Sequence, residues 1–142
     1  MKLPTAILLL LTSLYVGAQE QKKVKVYRNL NKAVRHGEKV EALSLSGKGL
    51  TEIPLEVFEL KNLKLLNLMN NKITVIPNEM TELKSLEKLV LIKNEISELP
   101  ASLAELTELK SLLIFYNKVT NKEASALKKL MPNCEIVYTI IL

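Results

Sequence analysis

The chain has 142 residues, 20 basic and 15 acidic side chains, one His and one Cys, for a formal net charge of +5. It has no Asp, so His36 has neither a Cys nor an Asp beside it to make a nucleophile dyad or a metal set, and Cys134 has no partner for an internal disulfide. The acidic groups are all Glu, spaced by a repeat rather than converging on a cleft, and no glycine-rich phosphate loop is present; a non-catalytic chain without cofactor or metal is expected.

In chain order, Met1-Lys2 supplies a positive start. Leu3 to Val16 is an apolar run broken only by Pro4, Thr5, Thr12 and Ser13, and Val16-Gly17-Ala18 places small residues before Gln19. These are the three parts of a secretory signal peptide. The run is too short to span a bilayer, which takes about 20 residues, and no Cys follows it to carry a lipid. A leader over residues 1–18, cleaved after Ala18, is expected. The exported protein, secreted or periplasmic and without stable membrane insertion, then has 124 residues (142 less 18), enough for one domain.

Val26, Tyr27, Leu30, Ala33 and Val34 recur at three- and four-residue spacing with Gly37 as a stop, which predicts an amphipathic capping helix within residues 19–39. His36 then adds a favourable charge at the helix C-terminus. The basic residues read as dispersed apart from Lys22, Lys23 and Lys25, a solvated start, and no nucleic-acid partner is expected.

From Val40 the chain repeats itself at a fixed interval. Leu63-x-x-Leu66-x-Leu68-x-x-Asn71-x-Ile73 returns as Leu86-x-x-Leu89-x-Leu91-x-x-Asn94-x-Ile96 and as Leu109-x-x-Leu112-x-Ile114-x-x-Asn117-x-Val119. An earlier copy, Val40-x-x-Leu43-x-Leu45-x-x-Lys48-x-Leu50, has Lys in place of Asn. The second half recurs too, as Ile53-Pro54, Ile76-Pro77 and Leu99-Pro100, then Leu60, Leu83 and Leu106. One such unit cannot bury its own Leu side, so the units must stack, each adding a strand to a parallel sheet. Asn71, Asn94 and Asn117 form a structural ladder where the chain leaves each strand, because an amide both donates to and accepts from backbone left unpaired by a bend. Lys48 cannot accept, so the first coil must bend differently, with Gly47 and Gly49 supplying the freedom.

The sequence resembles leucine-rich-repeat proteins of the short 23-residue class with an I-P step. The resemblance implies an α/β fold: a short solenoid with a curved parallel sheet on its concave side, an irregular or short-helical convex side, an N-terminal helical cap and a C-terminal helix-strand cap. The repeats fall at 40–62, 63–85, 86–108 and 109–131, with a capping strand in 132–142.

Charges fit this register. Glu41, Lys64, Glu87 and Lys110 alternate in sign at the second position, about 5 Å apart when stacked. Glu59, Glu82 and Glu105 form one like-charged column and Glu56 and Glu79 another, read as the solvated convex side. Asn121 to Met131 predicts a helix with Asn121 as N-cap and Pro132 after it. In the last strand a strict period turns Glu135 inward, so a one-residue shift that buries Cys134 and Ile136 is expected, with Cys134 acting as a small apolar residue.

The outward strand positions are where binding should show. They read Ala42, Ser44 and Ser46; then Leu65, Asn67 and Met69; then Lys88, Val90 and Ile92; then Ser111, Leu113 and Phe115, with Tyr116 beyond. Leu65, Met69, Val90, Ile92, Leu113 and Phe115 are expected to form one exposed apolar patch for a protein partner, with Phe115 and Tyr116 as anchors. The alternative is a self-associating structural or envelope protein that pairs through the nearly uncharged strand Ile136–Leu142. If the leader reading holds, mass spectrometry of the exported chain finds a new N-terminus at Gln19; an intact Met1 in that fraction contradicts it.

Overall fold

A computed structural model describes residues 23–138. The leader, its cleavage point at Ala18, Lys22 and the tail from Thr139 to Leu142 lie outside the described residues. Six parallel strands form one sheet in chain order: β1 (Val26–Tyr27), β2 (Ala42–Ser44), β3 (Leu65–Asn67), β4 (Lys88–Val90), β5 (Ser111–Leu113) and β6 (Glu135–Val137). From β2 to β5 the register advances by one full repeat per step, Leu43 to Leu66 to Leu89 to Leu112.

Pro54, Pro77 and Pro100 open the return half of each coil. Their φ values of −59°, −75° and −66° are the ones a pyrrolidine ring enforces, and a short 3-10 helix follows each: Leu55–Glu59, Asn78–Glu82 and Ala101–Glu105. These helices turn Val57, Met80 and Leu103, each at most 1% exposed, back onto the Leu columns behind the sheet. Each such side chain removed from water is worth about 1.5–3 kcal/mol, so the columns outweigh any surface charge pair.

The two ends depart from the period. Val26 and Tyr27 are a strand, not the start of the capping helix expected from their spacing; α1 covers only Leu30–His36. Pairing with β2 wins because Tyr27 sits opposite Leu43 and closes the Leu column as a buried residue. The coil from Val26 to Ala42 is thereby well short of a full repeat. At the other end α2 (Asn121–Leu130) is capped by Thr120, not Asn121. Thr120 accepts from the Glu123 backbone N–H while the Glu123 carboxylate accepts from the Thr120 N–H, a reciprocal capping box. The last step, Leu112 opposite Ile136, is one residue longer than the period, which buries Cys134 and Ile136 and leaves Glu135 exposed.

The Asn ladder works backward along the chain. Asn94 Oδ1 accepts from Ile73 N of the preceding coil at 3.1 Å, and its Nδ2 donates to Leu68 O of that coil and to Leu91 O of its own. Asn117 repeats this on Ile96 and Leu91, and Asn71 takes both Lys48 N and Leu50 N of the first coil. Lys48 therefore replaces an amide that the first coil does not need, because no full coil precedes it. The bend there is made by Gly47 and Gly49, at φ 67° and 70°.

Surface ion pairs bridge coils at Glu41–Lys64 and Glu87–Lys110, while among the described residues the middle step from Lys64 to Glu87 is not closed. The convex Glu column is not a row of unrelieved like charges: Lys61 pairs Glu82 and Lys84 pairs Glu105. Asn94→Ala is predicted to cost about 2–4 kcal/mol in urea unfolding, since three buried backbone groups lose a partner. Lys48→Asn should change stability by less than ~0.5 kcal/mol.

Candidate interaction surface on the concave sheet

The sheet carries a second apolar cluster on the side away from the core. Val90, Ile92, Leu113 and Phe115 pack on one another, with Met69 and Val137 against them. The sequence led us to expect these residues as an exposed patch, and the structure corrects that: they are at most 5% exposed, Ile92 not at all. The cause is spacing. Strands lie about 4.8 Å apart, so large side chains in adjacent rungs of one face cover each other. The accessible part of the expected surface is its margin, with Leu65, Asn67, Met69 and Lys88 half-buried and Tyr116 45% exposed.

Beside this cluster runs a row with more polar members, made of outward positions that strand alternation had already marked. Strand register sets Leu65, Lys88, Ser111 and Glu135 in line across β3 to β6. Burial pushes the Lys88 ammonium below its usual range, against the opposing pull of Glu135. Ser111 is 6% exposed, and among the described residues its Oγ alone is a buried side-chain polar atom without a hydrogen-bond partner. An orphaned hydroxyl costs on the order of 1–3 kcal/mol of desolvation unless something meets it. By strand alternation it lies on the side of the sheet away from the Leu core, covered by its neighbours.

A further column was hidden. Gly47, Asn70, Lys93 and Tyr116, each one repeat from the next, have φ of 67°, 59°, 56° and 58°. This eighth position, one before the ladder Asn, is left-handed in every coil. Gly47 was the available clue. Glycine and Asn tolerate the conformation, whereas Lys and Tyr are strained there. Tyr116 nevertheless occupies it at the rim, edge-on to Phe115 with ring centroids 5.5 Å apart and with Lys93 Nζ 5.8 Å from its own ring centre. The conformation is the one every coil imposes at this position, and at Tyr116 it sets an aromatic ring on the rim.

The reactive inventory lies elsewhere. Cys134 is buried in the C-terminal cap, and loss of solvation raises its thiol to about 11, so it is protonated at neutral pH. His36 ends α1, donating from Nδ1 to the Lys32 carbonyl oxygen and packing on Tyr27. Among the described residues no helix is long and apolar enough to cross a membrane.

With this geometry the comparisons are unambiguous on fold. The leucine-rich-repeat family model matches residues 38–96. A leucine-rich-repeat protein of Leptospira interrogans superposes with a TM-score of 0.67 at 38% identity, over 70% of this chain and 26% of that one. Internalin C2 of Listeria monocytogenes gives 0.62 at 22% identity, over 72% of this chain and 43% of that one, a likeness of fold alone. No curated protein matches the sequence. The molecule is a short α/β leucine-rich-repeat solenoid. The chain is a small leucine-rich-repeat protein, spanning about a quarter of the length of the Leptospira protein and less than half that of internalin C2.

If the eighth position is strained as described, Lys93→Gly will be more stable than Lys93→Ala by about 1 kcal/mol in chemical denaturation. Equal stabilities would leave Tyr116 without any backbone strain to explain.

Proposed function

We propose that this protein is an exported, non-catalytic interaction module that binds a protein partner on the C-terminal half of its concave sheet. The observation that carries the proposal is the exposed Tyr116 at the edge of that sheet face. Concave sheets are the usual binding surfaces of solenoids. Buried Val90, Ile92, Leu113 and Phe115 form a firm floor. Contact is made by the accessible margin: Leu65, Met69 and Tyr116 offer apolar area, and Lys88 offers a donor to a carbonyl or carboxylate of the partner. Aromatic side chains on a rigid floor are the usual centres of binding energy.

The burial pattern decides which variants are informative. Replacing Leu113 and Phe115 by Ser opens a packed cluster and costs stability, confounding binding with folding. Tyr116→Ala and Lys88→Glu alter groups that reach solvent. In crosslinking pull-downs from the native extracellular or periplasmic fraction, each variant should lose at least ~1.4 kcal/mol, tenfold, in capture of whatever the natural chain captures, with an unchanged circular dichroism spectrum. Full capture by both variants sinks the concave-surface reading.

A second reading rests on β6, which ends the sheet with no neighbour on its far side among the described residues. An open edge can pair with another strand, and a second copy is then the partner. Light scattering with and without residues 139–142 separates the readings, since a monomer in both cases removes self-association.

A further inference from the structure

The charge of this protein is not dispersed, as its sequence first reads, but gathered at one pole. Residues 23–39 hold Lys23, Lys25, Arg28, Lys32, Arg35 and Lys39 against Glu38 alone, a balance of +5. Residues 40–142 hold 12 basic and 13 acidic groups, a balance of −1, and residues 1–22 add +1. The repeats are therefore nearly neutral, many of their cations paired with Glu between coils, and the cap carries the excess. All six cap cations are exposed, and among the described residues none joins an ion pair.

Their spacing gives this excess a direction. Lys32 and Arg35 stand three residues apart on α1, the interval that keeps side chains on one side of a helix, while Arg28 and Lys39 flank its two ends. The opposite side holds Ala33, fully buried, with Leu30 packed against the core and Val34 partly buried. A shallow concavity of about 600 Å³ on this pole is lined by Asn29, Asn31, Lys32, Arg35 and His36, all hydrogen-bond donors. Asn29 Oδ1 accepts from Lys32 N, and Lys32 and Arg35 give the concavity its positive charge.

We infer that the N-terminal cap is an electrostatic docking surface for the phosphate headgroups of an anionic lipid bilayer, which would hold the solenoid by its basic pole and leave the concave sheet free. Two observations favour a bilayer over nucleic acid. The aromatic ring of this pole, Tyr27, is 6% exposed beneath Lys25 and beside His36, so no base can stack on it. On the leader reading, the cut after Ala18 is made at a bilayer and only residues 19–22 precede Lys23 in the new chain, so the cap is released next to that bilayer. Cations at an anionic bilayer act additively and are screened by salt, and each is worth about a fivefold change in partitioning.

The test is co-sedimentation of the full chain with vesicles containing roughly one-third phosphatidylglycerol, and with phosphatidylcholine alone, at low salt. The neutral vesicles measure whatever the apolar run contributes by itself. The natural chain should favour the anionic vesicles, and the excess should vanish at high salt. Lys32→Gln, Arg35→Gln and Lys39→Gln together should lower that excess about a hundredfold while leaving binding to neutral vesicles and the circular dichroism spectrum unchanged. Equal binding to both vesicles, or an anionic excess that survives the triple substitution, overturns the inference. So does release by inorganic phosphate beyond that by chloride of equal ionic strength, which would mark a free-anion site, or tighter salt-matched binding to duplex DNA than to the anionic vesicles.

Discussion

Everything in this molecule hangs on a buried amide that reaches backward. Stacked coils gain most of their energy from Leu columns, but apolar contact does not fix where one coil sits on the next. The ladder Asn does, because one side chain accepts from the preceding coil, donates to it, and donates to its own strand end. A slipped stack would strand all three backbone groups in a site without water. The repeat length is thus a hydrogen-bonding constraint as much as a packing one, and it is relaxed where the ladder stops. The coil from Val26 to Ala42 is cut short, and the step from Leu112 to Ile136 gains one residue.

That constraint also shapes the candidate binding face. To deliver its side chain, each ladder Asn follows a left-handed residue, Asn70, Lys93 or Tyr116, and Gly47 keeps the same conformation ahead of Lys48. The bend that organises the backbone therefore presents one side chain per coil at the rim of the concave sheet. In the first coil that side chain is absent; in the last it is a tyrosine. The same coils change their outward strand residues from Ser44 and Ser46 to Leu113 and Phe115. The fold tolerates both, so the apolar end is not a demand of the solenoid.

The core was legible because its signal is periodic. Leu43, Leu66, Leu89 and Leu112 recur at a fixed interval, and a burial pattern that repeats four times cannot be mistaken for a chance run. The one-residue shift at Ile136 was legible for the same reason, as the only way to keep Glu135 out. What lay outside the period was not. Val26 and Tyr27 have helical spacing to Leu30, but a strand partner in β2 outweighs spacing. Thr120 was passed over for Asn121 because only geometry shows the Glu123 carboxylate folding back. The concave patch was read as exposed because a sequence gives the side of a sheet a residue faces, not how neighbours on that side cover it. The basic pole was missed because charge was read along the chain, where it alternates, rather than by end.

The protein thus has two candidate functional surfaces in different places, a concave margin near Tyr116 and a basic cap near Lys32, joined by a neutral, rigid stack. Hydroxyl-radical footprinting of the chain alone and in its captured complex tests the concave-margin proposal most directly, because it reads individual side chains. Met69 and Tyr116 on the concave margin are predicted to be protected, with unchanged labelling of Leu55 and Val75, each 66% exposed away from the sheet. Protection of Leu55 and Val75 with Tyr116 left reactive would contradict it.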